Sequence, residues 1–324
     1  MNIDREIQNR VNKLFNENKI TCFIGYEKGS FLYRARPCFI TRKEDVNRLI
    51  FNSFCINNLS IYLINGKIGD DTSSQHEKFG ILATPCTLRS IVSLLQGNQI
   101  KAEDLYILAV NCNGMIDPYK IKKLPFIKIE SIDEIDDKII INASSSKIEN
   151  KRIDILYDKC LSCTNELPKI YNDLIENVSI KPDKSIDEYA EVKEIEKMPP
   201  DKRWEFWEKE FSRCIRCYAC RNVCPICYCR ECIVDKNIPQ WISKINQSST
   251  NEYYNLIRVL HVMGRCIDCG ECERVCPAKI PYRKLIKKME KEINDMYGYK
   301  PGLNPELSPP LSTFKEGDPD ESIK

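Results

Sequence analysis

The chain carries one cysteine pattern twice, at Cys214–Pro225 (CIRCYACRNVCP) and Cys266–Pro277 (CIDCGECERVCP). Each copy spaces three cysteines two residues apart, then sets a fourth after three more residues, immediately before proline. Three cysteines at that spacing wrap a tight loop around three irons of a [4Fe–4S] cubane. The fourth, beyond a helical turn, points away and ligates the neighbouring cluster. Proline then fixes φ and removes an N–H where the chain leaves the cluster. The spacing assigns Cys214, Cys217, Cys220 and Cys276 to one cluster, and Cys266, Cys269, Cys272 and Cys224 to a second. Zinc would need two CxxC pairs around a tetrahedron, which neither the Cys-Pro ending nor the duplication suits. With a thiolate on every iron there is no open coordination position, so the pair moves single electrons and performs no substrate chemistry.

This segment resembles the bacterial dicluster ferredoxins, and the rest of the chain is ordinary. Of 324 residues, 49 are Lys or Arg and 47 are Asp or Glu, for a net charge of +2. That balance offers no basic field to nucleic acid. The longest apolar runs, such as Ile61–Ile64 and Leu105–Val110, fall far short of the roughly 20 residues of a membrane span. Residues 1–19 lack an apolar signal region, so a cytoplasmic protein is expected. There thiols stay reduced, and 18 cysteines point to metal rather than disulfides.

The cysteines also divide the chain. Seven (Cys22, Cys38, Cys55, Cys86, Cys112, Cys160 and Cys163) are scattered, and the other eleven lie between Cys214 and Cys276. The expected organisation is an α/β domain over 1–185 and a helical linker over 186–210. An α+β dicluster ferredoxin domain follows over 211–290, with an insertion at 225–265. A helix end and extended tail occupy 291–324. Strands are expected at Ile20–Gly25, Ser60–Ile64, Phe79–Thr84, Leu105–Asn111, Lys138–Asn142 and Arg152–Tyr157, with helices at Arg42–Asn52 and Arg89–Gln99. Such alternation argues for a largely parallel sheet. Tyr282–Tyr297 reads as an amphipathic helix, whose apolar face, with the Pro-rich tail, offers a surface for a partner.

Cys86 falls in the turn after Phe79–Thr84, with Thr87 as the expected cap of the next helix, where free N–H groups and the helix dipole favour thiolate. Cys112 ends the next strand, and Cys160 and Cys163 form a CxxC after a third. Ends of neighbouring parallel strands share one edge, so these four thiols are candidates for a third [4Fe–4S] cluster. Buried core packing, or a redox dithiol at the CxxC, is the alternative. Cys227, Cys229 and Cys232 in the insertion either bind a further cluster or pack beside the cubanes. His261 is a ligand, a proton relay or an ordinary core or surface histidine. Arg213, Arg216, Arg221 and Arg230 crowd the first motif, as potential-raising charges, a docking face for an acidic carrier or a solvated face. Gly25, Gly29, Gly66 and Gly69 lie near strand ends but form no GxGxxG fingerprint.

The segments Phe23–Glu27 (FIGYE), Cys55–Leu59 (CINNL), Ala83–Cys86 (ATPC) and Lys159–Thr164 (KCLSCT) resemble the beta-subunit family of coenzyme F420-dependent hydrogenases and formate dehydrogenases. The resemblance implies FAD in the α/β domain, beside iron–sulfur clusters. It also implies redox partner subunits and an exchange of electrons with F420 or ferredoxin. Many members place the cluster module first; the order here suits beta-like proteins of heterodisulfide-reductase-type complexes. The expected function is an electron-transfer subunit. A freestanding flavin oxidoreductase using F420 or NAD(P)H is the alternative, with a cluster-stabilised structural protein as a third reading.

Overall fold

A computed structural model describes residues 2–64, 78–121, 129–135, 137–144, 146–176 and 187–312. Gly66, Gly69 and the tail beyond 312 lie outside the described residues. In chain order the regular elements begin with α1 (Ile3–Asn16), β1 (Cys22–Lys28), β2 (Ala35–Ile40), β3 (Phe79–Ala83), α2 (Pro85–Gln96) and β4 (Leu105–Val110). A meander of β5 (Ile129–Ile135), β6 (Lys138–Ala143) and β7 (Ser146–Lys151) follows, then α3 (Arg152–Ile155), α4 (Asp158–Leu161) and β8 (Asp173–Ile175). The remainder is helical: α5 (Ala190–Glu196), α6 (Pro200–Ser212), α7 (Ala219–Asn222), α8 (Ser248–Val262), α9 (Glu271–Arg274) and α10 (Tyr282–Tyr297).

The main sheet has the order β2-β1-β3-β4-β8. β1, β3, β4 and β8 are parallel, and β2 is an antiparallel edge. The central strands FGILA and LYILAV are continuous apolar runs buried at their C-terminal halves, as strands covered on both faces must be. Pro37 is tolerated because β2 lies at the edge. α1 covers the sheet with Ile7, Val11 and Leu14, one stripe at helical spacing. Its first turn is capped by Asn2 Oδ1, which accepts from the N–H of Asp4 at 3.1 Å.

Several expected elements differ. Ser60–Ile64 is not a strand: Leu59–Leu63 forms a 3-10 turn, begun by Asn58 Oδ1 accepting from Ser60 N at 3.2 Å. A short apolar run does not by itself distinguish strand from helix, and here the cap decides. Arg42–Asn52 contains only a 3-10 stretch, Lys43–Arg48. Lys138–Asn142 is a strand, but of the separate antiparallel meander. Arg152–Tyr157 is no strand either, since buried Arg152 is anchored to Glu134 and to Ser53 Oγ at 2.7 Å, turning the chain into α3. Helix α2 starts at Pro85, four residues before the expected Arg89, because proline is preset for the first helical position; Thr84, not Thr87, is its N-cap.

The cysteine-rich part is not α+β: residues 187–312 contain helices and loops, with no strand among them. Its core is built by Trp207 and Phe211 of α6, Tyr254 and Val259 of α8, and Tyr282 and Ile286 of α10 around the cysteines. The stretch read as a connector thus contributes to this core. Helix α10 uses its apolar face internally, against α5, α8 and α9, and is not a free docking surface. Residues 301–307 also pack back rather than extend. Arg89 of α2 donates to the Pro301 carbonyl at 2.8 Å, and Gln96 to the Asn304 carbonyl at 2.9 Å.

Candidate functional site

Cys214, Cys217, Cys220 and Cys276 line one small cavity of about 20 Å³, closed by Tyr218, Tyr254, Ile280 and Tyr282. The fourth cysteine of the second motif thus stands with the three of the first. Two left-handed residues, Arg216 (φ 47°) and Tyr218 (φ 59°), fold the loop tightly enough to turn its thiols inward. The loop is tied down by Asn251 of α8, whose Nδ2 donates to the Cys214 carbonyl at 2.7 Å. Arg216 is buried and donates to the carbonyls of Ser243, at 2.6 Å, and Ile245. Arg221 pairs with Asp235 at 2.7 Å and stacks on Tyr218, and Arg213 pairs with Glu210. Arg216 thus acts inside the chain, whereas Arg213, paired as it is, stays at the surface. Arg230 is exposed.

The complementary set gathers around the second loop. Burial, then the Cys224 thiolate, raises the pKa of Cys266. Burial, Glu271 and Cys224 raise that of Cys269. Cys272 is pushed up to about 12 by burial, with Arg258 opposing and Cys224 adding. Cys224 itself is drawn down to about 6, mainly by the Cys227 thiol that hydrogen-bonds it. Buried thiols with raised pKa values hold their protons until a metal displaces them, so cluster binding is coupled to proton release.

Cys86, Cys112, Cys160 and Cys163 line a single cavity of about 590 Å³. Cys86 sits in the first turn of α2, its Sγ 3.2 Å from Thr84 Oγ1, and Cys112 lies just past β4, beyond the same sheet edge. Cys160 and Cys163 arrive by another route, on the turn of α4. That turn is pinned by the bridge between Ile116 and Leu156 and by Met115 N, which donates to Cys160 Sγ at 3.3 Å. Burial, with Cys160 and Cys86 next, raises Cys112 well above an ordinary thiol. Burial is also the main cause of Cys163 rising to about 11.

Ile267 and Asp268, inside the second cysteine motif, form part of the same cavity wall. Lys159, which precedes Cys160, lies 3.9 Å from the buried carboxylate of Glu271 in that motif. Burial opposes its charge, and Cys86, Glu271, Cys160 and Cys269 overcome that opposition and keep it protonated. Lys159 was not singled out by sequence reading, and its one signal is its position beside a candidate ligand.

The remaining cysteines separate cleanly. Cys22, Cys38 and Cys55 are buried in the sheet's core, where burial pushes Cys38 up to about 12. Cys227, Cys229 and Cys232 line a cavity of about 630 Å³ with exposed His261. Among the described residues, no three His, Cys, Asp or Glu side chains come close enough to hold one metal ion. Thiolates around a cubane bind four separate irons and stand farther apart than the ligands of a single ion. Cys220 and Cys224 are also linked by a buried cation, Arg258, whose Nε and Nη1 have no hydrogen-bond partner. Orphaned donors amid thiols suit an anionic group such as a thiolate-bound cluster.

Residues 210–280 match the 4Fe-4S dicluster domain family. The chain is 25% identical to the F420-dependent formate dehydrogenase subunit beta of Methanocaldococcus jannaschii, over 91% of each chain. It is 24% identical to the F420-dependent formate dehydrogenase 1 subunit beta of Methanococcus maripaludis, over 92% of this chain and 90% of that one. A chain of the F420-reducing [NiFe] hydrogenase complex from Methanosarcina barkeri aligns with 64% of this chain and 86% of its own. The TM-score is 0.42, at 12% identity. The resemblance read from the short N-terminal motifs and the duplicated cysteine pattern is thus borne out. An alignment that spans nine tenths of both partners is colinear, so the module order here is no departure from these two relatives.

Proposed function

We propose that this chain is the electron-relaying subunit of a cytoplasmic redox complex of the formate dehydrogenase, hydrogenase or heterodisulfide-reductase type. The observation that carries this reading is the shared cavity wall. The four N-terminal cysteines and the second cysteine motif face one space, so a third cluster there would stand directly before the other two. In this reading Cys86, Cys112, Cys160 and Cys163 hold the third cluster. Cys266, Cys269, Cys272 and Cys224 hold the next, and Cys214, Cys217, Cys220 and Cys276 hold the last. Residues 1–185 form the entry module, 186–210 the link and 211–290 the exit module.

The family resemblance implies FAD in the α/β domain, beside this cavity, whose wall cations Arg89, Arg152 and Lys287 already have partners in Pro301, in Ser53 and Glu134, and in Asp268. Bound there, the flavin would supply conversion between electron pairs and single electrons, and the clusters would supply single-electron transport. The chain's own residues hold the thiolates in place, keep Lys159 charged between two sets and line the cavity with buried Leu156 and Met115. Coenzyme F420 is the expected two-electron donor, by similarity to the two formate dehydrogenase subunits.

Anaerobic purification from the native source tests the whole reading. About 12 irons per chain, one extractable FAD and co-purifying redox subunits are expected. About 8 irons without flavin would contract the role to a two-cluster relay. A lone chain oxidising reduced F420 at the full rate of the complex would favour a freestanding enzyme.

A further inference from the structure

The insertion between the two cysteine motifs ends in α8, which lies over the cluster loops and buries Arg258 between them. Arg258 is 5% exposed. Nη2 donates to the Cys220 carbonyl at 2.9 Å, and the guanidinium carbon stands 5.1 Å from the centre of the Tyr282 ring. Nε and Nη1 are buried without a hydrogen-bond partner. Burial works against the charge, but Cys272, Cys220, Cys224 and Cys227 more than offset it. Cys220 belongs to one proposed cluster, and Cys272 and Cys224 to the other.

We infer that Arg258 is an electrostatic link between the two clusters: its fixed positive charge, held between the Cys220 loop and the Cys224–Cys272 set, raises both reduction potentials together. Reduction adds one negative charge to a cluster, and a cation in a dry interior stabilises the reduced form far more than it would in water. Arginine does not deprotonate in proteins, so the effect persists at any working pH. A purely structural role would need only the one hydrogen bond to the Cys220 carbonyl. A neutral donor serves that purpose without leaving two buried nitrogens unpaired, which proteins avoid. This account also gives the insertion a use that a plain pair of cysteine motifs does not require. It rests on the two-cluster part of the proposed function and is independent of the third cluster and of flavin.

The test compares the full chain, anaerobically purified, with Arg258→Met and Arg258→Lys, by iron analysis and EPR-monitored redox titration. Arg258→Met should keep its iron and lower the equilibrium constant for reduction of both ferredoxin-type clusters by about tenfold, or about 59 mV for a one-electron couple. Arg258→Lys, which keeps the charge, should stay near the wild-type midpoints. Unchanged midpoints in Arg258→Met, or a shift at one cluster alone, would overturn the link. If Arg258→Met loses iron, retention of iron and midpoints by Arg258→Lys supports the role of charge, whereas loss in both variants overturns it. A wild-type chain lacking the roughly 8 ferredoxin-type irons overturns the two-cluster reading itself, and is told apart from the other outcomes by iron content alone.

Discussion

Lys159 lays the stem of its side chain against Gly270, joining the loop of the N-terminal CxxC to the loop of the second cysteine motif. A Cβ at Gly270 would lie 2.8 Å from Lys159 Cδ, and Gly270 has a φ of +67°. One residue precedes Cys160 and the other follows Cys269, so the contact is the joint between the third cysteine set and the dicluster module.

Gly270→Ala should therefore loosen that joint. The left-handed backbone and the overlap with Lys159 together should cost roughly 1–3 kcal/mol. Thermal unfolding of the anaerobic holoprotein should show a lowered midpoint, and an unchanged one would mean that the Lys159 stem moves aside freely.

Crosswise ligation makes a sharp forecast for Cys276→Ser. The signal that changes in EPR should be that of the cluster bound by Cys214, Cys217 and Cys220, with which Cys276 shares its cavity. Loss of the signal belonging to the cluster of Cys266, Cys269 and Cys272 would sink the assignment.

Removing the N-terminal CxxC in a Cys160→Ala/Cys163→Ala double variant should lower the iron content by about four per chain, one cubane. The ferredoxin-type EPR signals should remain. An iron count equal to that of the wild type would end the proposal of a third cluster.

Asp268 provides a pH-dependent term. Burial raises its pKa, but Arg283, with Nε at 2.8 Å, and Lys287, at 3.3 Å, lower it below the ordinary carboxyl value. A carboxyl lowered on folding stabilises the protein above its unfolded pKa, and that contribution is lost as the pH falls through the folded value. Asp268→Asn takes one partner from Arg283 and Lys287, which keep Glu191 and Glu290, and should cost about 1–3 kcal/mol near neutral pH. The gap between variant and wild type, measured by denaturant unfolding, should narrow on acidification. A gap independent of pH would show that the carboxylate charge is not what stabilises the site.

Much of this arrangement is legible in the residues alone. The duplicated spacing with its terminal proline names two ligand sets, because cubane geometry restricts how a short loop can present three thiols. The continuous apolar strands Phe79–Ala83 and Leu105–Val110 can be read as parallel and covered, which puts Cys86 and Cys112 at one sheet edge. Other parts were hidden. Arg152–Tyr157 has the composition of a strand, yet a buried Arg152 with partners at Ser53 and Glu134, far away in sequence, bends it into a helical turn. Only the fold shows that Cys160 and Cys163 reach the shared cavity, from the turn of α4 that follows. Likewise nothing in the sequence marks Lys159 or Arg258, and Arg216 stays open between a potential-raising charge, a docking face and a solvated face; burial turns them into structural ties and isolated cations. Local spacing determines which three thiols one loop can present to a cluster, since that is a property of a few consecutive bonds. The distance between one set and the next, and the cation between them, depend on contacts across many tens of residues, and only the tertiary packing decides those.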